Sequence, residues 1–197
     1  MSDGLRDGLV RTYRLLREHG LNDSHSGNAS LRDADTVWIT PTGCCADTLE
    51  AGDLVACRNH VPGPGASLDA PLHLAVYAAR PEAAAVIHCH GPHAIAMTLR
   101  PEIASEHYFP DDFEGAYYFP KVPLIDIPYD HYVSEAPAAV AEALSRFPVA
   151  LVRGHGIYAW GRSLDEAYKR AASLESSARI SWLTASLGNR RPPGEPA

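Results

Sequence analysis

The segment that most constrains the fold is the run AAAVIHCH at residues 83–90. Residues 83–87 are all apolar, and the run stops at Gly91, which is typical of a strand buried inside a sheet. Side chains of a strand alternate between the two faces, so His88 and His90 point to one side and Cys89 points to the other. The sequence therefore predicts two neighbouring imidazoles on a buried strand, where polar rings without partners would be costly.

Helical and strand-like patterns are mixed along the rest of the chain. Leu5, Leu9, Tyr13 and Leu16 recur at helical spacing and predict an opening helix that ends near Gly20. Further helices are expected at residues 69–79, from 92 onward, at 134–146 and at 163–187, and further strands at 26–32, 36–40, 121–127, 149–152 and 157–161. These elements do not follow strict βαβ alternation, which favours an α/β/α sandwich around a mostly antiparallel or mixed sheet.

Local signals predict how several of these elements begin. Ser134 is expected to cap one helix, and Ser163 with Glu166 forms a capping box for the long final helix. Residues 41–58 predict a turn, a one-turn helix and a strand. Residues 101–120, rich in aromatic and acidic residues, are expected to be irregular.

Composition limits the class of protein. The chain has 197 residues, of which 46% are hydrophobic and 21% charged, and this excludes a disordered chain. We expect one domain over residues 1–187 and a flexible Pro/Gly-rich tail at 188–197. The net charge of −7 offers no basic surface for nucleic acid or an anionic membrane. The lack of a signal peptide, of an 18-residue apolar window and of CxxC spacing among four cysteines predicts a reduced, cytoplasmic protein.

The positions of the ten histidines suggest a metal site. His155 lies in RGHGIY directly after the strand-like run VALV, and its flanking glycines let another group approach the imidazole closely. If that strand lies beside the strand of His88 and His90, three imidazoles converge. Three protein ligands leave one position open, as in catalytic zinc sites. The alternatives are an ordinary turn histidine at 155 and a hydrogen-bonded pair at 88 and 90.

Asp69 is the candidate carboxylate for moving protons beside such a metal. It begins a predicted helix, so a role as N-cap is the alternative, and the two roles can coexist. His73, one turn later, faces either the site or the core. The turns SGN at 26–28 and PTG at 41–43 are either ordinary turns or places where backbone N–H groups hold an anion.

Five motifs, taken together, resemble the class II aldolase/adducin family. They occur in the family's order over nearly the whole chain, and they are SGNASLR (26–32), ITPTG (39–43), SLDAPLHLAVY (67–77), AVIHCHGPHA (85–94) and LVRGHGIYAWG (151–161). The resemblance implies a zinc ion held by His88, His90 and His155, with Mn²⁺, Co²⁺ or Fe²⁺ as other divalent candidates. It also implies a homotetramer with active sites between neighbouring subunits.

The resemblance assigns roles to further residues. In the family's sugar-phosphate aldolases a carboxylate in the motif S-S-E-x-P-x-H moves the proton, and Asp69 falls on that position. A tyrosine from the neighbouring subunit protonates the leaving oxygen, and Tyr108 is its best match. The phosphate contacts of the family fall on Asn28, Thr42, Gly43 and Ser67.

The expected activity is therefore cleavage of a small ketose, as its 1-phosphate, by a zinc-dependent aldolase through a metal-stabilised enediolate. Two departures keep alternatives open. Asp69 replaces glutamate, as in the family's ribulose-5-phosphate 4-epimerases, and Leu68 replaces a phosphate-binding serine. A dehydratase of methylthioribulose 1-phosphate is a third possibility. A non-catalytic adducin-type module is less favoured, because the chain keeps three histidines and a carboxylate.

Overall fold

The run at residues 83–90 forms the central strand of the sheet. Strand β4 (Ala85–Cys89) is buried along its whole length. It lies between β1 (Asn28–Asp33) and β8 (Gly156–Gly161), and it pairs antiparallel with both. A strand that is covered on both faces and both edges favours apolar residues, which explains the apolar run before His88. The prediction of a buried strand is confirmed.

The computed structural model describes residues 2–100 and 106–187. Within these residues eight strands form one mixed sheet in the order β3-β2-β1-β4-β8-β7-β6-β5. Only the β6–β7 pair is parallel in this part of the chain, and the other pairs are antiparallel. The remaining strands are β2 (Thr36–Ile39), β3 (Val55–Arg58), β5 (His107–Tyr108), β6 (Val122–Ile125) and β7 (Val149–Val152).

Helices cover both faces of this sheet. In the described part of the chain they are α1 (Ser2–Glu18), α2 (Ala70–Ala79), α3 (Pro92–Thr98), α4 (Phe113–Tyr118), α5 (Tyr132–Leu144) and α6 (Leu164–Leu187). One core cluster joins α1, α3 and α6 to one face of the sheet. A second joins α2 and α5 to the opposite face. The expected α/β/α sandwich around a mixed sheet is confirmed.

Three local expectations were wrong. Ser134 lies inside α5 rather than before it, and His131 occupies the cap position after a 3-10 turn at Tyr129–His131. Residues 41–54 contain turns but no helix, so the expected one-turn helix is reduced to a turn in which the Thr48 and Leu49 N–H groups donate to the Cys45 carbonyl. The segment expected to be irregular contains β5 and α4 within residues 106–120, while 101–105 lie outside the described residues.

The start of α6 agrees with the predicted box on one side only. The Glu166 backbone N–H donates to Ser163 Oγ at 3.1 Å, as in a capping box. The Glu166 carboxylate, however, accepts from the Arg162 backbone N–H instead of from the Ser163 N–H. The box is therefore displaced by one residue on the carboxylate side, where Arg162 also offers its guanidinium.

Other expectations concern the compartment and the chain ends. Across residues 2–100 and 106–187, none of the helices has the length and apolar character needed to cross a membrane. All four cysteines are free thiols. The predicted tail at 188–197 lies outside the described residues, and the domain bounds stay a prediction.

Candidate metal centre and active site

Strand register brings three side chains together at the centre of the sheet. Asn28 of β1 pairs with His88 of β4, and His88 pairs with Tyr158 of β8. Residues paired across neighbouring strands share a face, and this face is the one covered by α2 and α5. The ring of His88 stacks on that of Tyr158, with centroids 4.2 Å apart and planes at 6°. The sheet itself therefore fixes the position of His88.

His90 and His155 complete a group of three imidazoles. His90 follows the end of β4, and His155 lies in the turn between β7 and β8. The Nε2 atom of His88 lies 2.9 Å from that of His90 and 3.2 Å from that of His155. Gly156 leaves room for this approach, since a Cβ there would lie 3.0 Å from His88 Cε1 and 3.1 Å from His90 Cδ2. The predicted convergence is observed.

The three rings are electronically suited to a cation. Burial lowers the pKa of His88 to about 3 and also lowers the pKa values of His90 and His155, so all three are neutral near pH 7. The Ile157 carbonyl, 3.1 Å from His88 Nδ1, can only accept a hydrogen bond. The His88 proton is therefore on Nδ1, and the Nε2 lone pair faces the other two rings.

The donor set fits a tetrahedral metal ion with one open position. Imidazole nitrogens about 2.0–2.1 Å from a tetrahedral zinc ion lie about 3.3 Å from one another. The observed separations of 2.9 and 3.2 Å are close to that value. The potential ligand atoms of His88, His90 and His155 all lie within 4.8 Å of one another. A cation bound by all three neutral nitrogens stabilises this arrangement more than the contacts between the rings do.

Asp69 turns its carboxylate toward the histidines and away from its own helix. It precedes α2 but makes no side-chain capping hydrogen bond, so the expected capping bond is absent. Instead, Oδ2 accepts from Asn28 Nδ2 at 2.8 Å, and Oδ1 accepts from the Tyr132 hydroxyl at 2.9 Å. Oδ2 also lies 3.9 Å from His88 Nε2. Two donors on other elements outcompete the N-terminal N–H groups of α2.

The environment of Asp69 favours the ionised form. The carboxyl is 8% exposed, and burial alone would raise its pKa. The hydrogen bonds that Asn28 and Tyr132 donate favour the charged form of the carboxyl, and the pKa of Asp69 lies below its ordinary value. Asp69 is thus a buried, charged acceptor beside three neutral imidazoles.

Tyr132 and Tyr158 are site residues that the sequence patterns did not indicate. The hydroxyls of Tyr132 and Tyr158 are 2.5 Å apart, and the Tyr132 ring lies 4.5 Å from the ring of His155. Burial raises the pKa values of both tyrosines, so both are neutral hydroxyls. Tyr158 reaches His88 because β8 pairs with β4, and a pairing between distant strands leaves no local signal in the sequence. Tyr132 lies far from the metal motifs in sequence, and nothing local marks it.

A cleft of about 760 Å³ opens directly onto the histidines. His90 and His155 line it together with Tyr132. An apolar part of its wall consists of Leu68, Ile95, Ile127, Val133 and Val152, and the rest includes Tyr129, Asp130 and Arg153. The three imidazoles therefore lie beside a space large enough for a small molecule, with both apolar and charged residues in its wall.

The predicted phosphate contacts are only partly assembled. Asn28 uses its amide on Asp69 and on His73. Ser67 is buried, and its hydroxyl accepts from the Asp69 backbone N–H at 3.3 Å. The loop of Thr42 and Gly43 is exposed and lies beside Ser67, because Pro41 pairs with Ala66. The Thr42 N–H already donates to the Gly65 carbonyl, and Gly43 has the positive φ of 65° that suits glycine.

Tyr108 is not brought to the three histidines. It belongs to the core cluster on the opposite face of the sheet, and only 3% of it is exposed. Its hydroxyl lies 3.0 Å from Ser181 Oγ of α6. A role for Tyr108 in a neighbouring subunit stays a prediction, which has to compete with this contact.

Comparisons with known proteins agree with this geometry. The sequence profile described as "Class II Aldolase and Adducin N-terminal domain" matches residues 7–182. The crystal structure of l-fuculose-1-phosphate aldolase from Thermus thermophilus is 31% identical and superposes with a TM-score of 0.85, covering 95% of this chain and 97% of that chain.

Two curated relatives are of similar identity. The methylthioribulose-1-phosphate dehydratase of Acidiphilium cryptum is 35% identical over 178 residues, which are 85% of this chain and 84% of that protein. A probable bifunctional methylthioribose-1-phosphate isomerase/methylthioribulose-1-phosphate dehydratase of Nocardia farcinica is 32% identical over 87% of this chain. The chain spans only 34% of the length of that second protein.

Proposed function

The chain belongs to the class II aldolase and adducin family of enzymes, and we propose that it is a zinc-dependent lyase that cleaves a small ketose 1-phosphate. The observation that carries the proposal is the convergence of His88, His90 and His155 beside the ionised Asp69. A metal-dependent lyase needs an open metal position and a base within reach of the same substrate. His90 and His155 line the cleft, and so does Tyr132, whose hydroxyl donates to Asp69.

In this proposal the three histidines hold the metal, and zinc is the ion that best matches three neutral imidazoles with one open position. When bound, the ion supplies Lewis-acid polarisation of the substrate's oxygens. The Ile157 carbonyl fixes the ring of His88 through its Nδ1 proton. Such contacts behind a ligand keep the metal-binding nitrogen in place.

Asp69 is the proton shuttle of the proposal. In retro-aldol cleavage, the hydroxyl on one side of the breaking carbon–carbon bond loses a proton. The carbon on the other side keeps the bonding electrons and gains a proton. A carboxylate that is ionised at rest can accept the first proton and return it. Asn28 and Tyr132 each donate to one oxygen of Asp69 and hold the carboxylate toward His88. The substrate's phosphate lies, in this proposal, at the loop of 41–43 and at Ser67.

Three further statements belong to the same proposal. The enzyme works in the cytoplasm, in line with four free thiols. It forms a homotetramer, as the resemblance to the family implies. Phe113 and Tyr129 are largely exposed aromatic side chains, which an interface between subunits would bury. Tyr108 remains the candidate contribution of a neighbouring subunit.

A dehydratase is the second candidate, and the apolar wall of the cleft favours it. Leu68 stands where the aldolase motif has a serine, and it joins Ile95 and Val133 in that wall. This surface suits a substrate whose far end is apolar, such as a methylthio group, more than one that is hydroxylated throughout. Dehydration and retro-aldol cleavage both move protons next to a polarised carbonyl, so the same Asp69 serves either reaction.

Product analysis separates the candidates. Zinc-loaded enzyme is incubated with fuculose 1-phosphate, methylthioribulose 1-phosphate and ribulose 5-phosphate. Dihydroxyacetone phosphate plus an aldehyde supports the aldolase, and loss of water without a triose supports the dehydratase. An isomeric pentulose phosphate would indicate an epimerase instead. A purified protein that binds no divalent metal and converts none of the three would overturn the proposal.

A further inference from the structure

His73 lies at the centre of a buried hydrogen-bond chain that ends on Asp69. Its Nδ1 atom is 2.7 Å from Ser30 Oγ, which in turn is 2.9 Å from the Tyr77 hydroxyl. Its Nε2 atom is 2.6 Å from Asn28 Oδ1, and Asn28 Nδ2 is 2.8 Å from Asp69 Oδ2. Strand β1, helix α2 and the residue that precedes α2 supply all five residues.

The amide of Asn28 sets the direction of the bonds in this chain. Its Nδ2 group donates to Asp69 Oδ2, which accepts, and its Oδ1 faces His73 Nε2. That oxygen only accepts as well, so His73 must carry its proton on Nε2. Burial lowers the pKa of His73 to about 4, and the neutral ring therefore accepts at Nδ1 from Ser30. Because Ser30 uses its proton on His73, the Tyr77 hydroxyl must donate to Ser30 Oγ.

We propose that His73 is a positioning residue, which in its Nε2–H tautomer locks the amide of Asn28 and thereby holds the carboxylate of Asp69 toward the three histidines. Without a donor at Oδ1 the Asn28 amide could rotate and place its oxygen against the carboxylate. The proposal rests on the proposed function only in that Asp69 is the proton shuttle.

The structure explains why a histidine serves this purpose. The ring is fully buried, so both nitrogens need partners, and both have one. His73 links α2 to β1 directly, because its two nitrogens bond to the side chains of Ser30 and Asn28. A network in which each member has its partners is rigid, and loss of one donor loosens the members beyond it.

The first test reads the tautomer directly in the zinc-loaded enzyme. Magic-angle-spinning NMR of protein labelled with ¹⁵N-histidine distinguishes a protonated from an unprotonated ring nitrogen, and the signals of His73 are identified by their loss in His73→Gln. We expect the proton on Nε2 and none on Nδ1. A proton on Nδ1 alone would overturn the proposal, because His73 would then have to accept from Asn28. This result does not depend on which ketose phosphate is converted, so it stands apart from a failure of the proposed function.

The second test compares two amides at the same position. In His73→Gln the side-chain NH₂ can replace Nε2–H toward Asn28, whereas in His73→Asn the shorter amide reaches only the Ser30 side. We expect kcat to fall less than about 3-fold in the glutamine variant and about 10- to 100-fold in the asparagine variant. KM and zinc content should stay unchanged in both. Equal losses in the two variants, or a loss confined to KM, would contradict a positioning role and indicate packing or binding instead.

Discussion

Histidines occupy two neighbouring regions on the α2/α5 face of the sheet, and the two regions differ in how their nitrogens are paired. His73 has Ser30 on one nitrogen and Asn28 on the other. At the second region the Nε2 atoms of His88, His90 and His155 face one another. Burial keeps the rings of both regions neutral.

The difference separates a structural use of histidine from a ligand-binding one. A ring with both nitrogens satisfied gains nothing from a cation and can be fixed in one tautomer. Three nitrogen lone pairs that face a common point are stable together only when a proton or a cation lies between them. Asp69 lies between the regions, with Asn28 of the first and His88 of the second within 4 Å.

The largest effect is expected from removal of a ligand in the second region. His88→Ala should abolish metal binding, from about one ion per chain to a trace, and should lower kcat/KM by at least about 10⁴-fold. Metal analysis after dialysis and steady-state kinetics measure the two effects. His131→Ala is the matched control, because His131 is half-exposed and lies outside both regions. Full metal content in His88→Ala would remove the distinction between the regions.

The next largest effect is expected at the carboxylate between them. Asp69→Asn keeps the size of the side chain and removes the base, so kcat should fall about 10³-fold while zinc stays bound. Glu142→Gln, at an exposed carboxylate paired with Arg146, controls for loss of one negative charge. Loss of zinc together with activity would instead make Asp69 a ligand and assign it to the second region.

A smaller effect, shared by both regions, is expected from pH in the metal-free protein. The folded pKa values of His73 and His88 are about 4 and about 3, below the ordinary 6.5, so the unfolded chain binds protons that the folded chain does not. The stability that these rings contribute is full above about pH 6.5 and is lost as pH falls toward the folded values.

Urea unfolding should measure this loss. Between pH 7.5 and pH 5 the free energy of unfolding should fall by about 2 kcal/mol for each of these two rings. In His73→Gln the fall should be about 2 kcal/mol smaller than in the parent protein. A free energy of unfolding that is equal at the two pH values would mean that the buried rings are charged.

The sequence predicted the parts of this site that depend on local geometry. Strand alternation placed His88 and His90 on one side, and the glycines around His155 indicated a tight approach that Gly156 provides. The strand order β1-β4-β8 brings Asn28 and Tyr158 to His88, and pairing between distant strands leaves no local signal. The same reason explains why Tyr132 was missed and why Asp69 does not cap α2: the deciding partners come from other elements.

The smallest effect is expected at the tyrosine that holds the far oxygen of Asp69. Tyr132→Phe removes the donor to Oδ1 but leaves Asn28 on Oδ2, so kcat should fall only about 10-fold, with zinc content unchanged. Tyr108→Phe is the matched variant, because Tyr108 also has a buried hydroxyl but bonds to Ser181 on the other face. We expect it to lower the free energy of unfolding by about 1 kcal/mol through loss of the bond to Ser181. A larger fall in kcat at Tyr108 would assign proton transfer at the leaving oxygen to the neighbouring subunit, and Tyr132 would then only support the carboxylate.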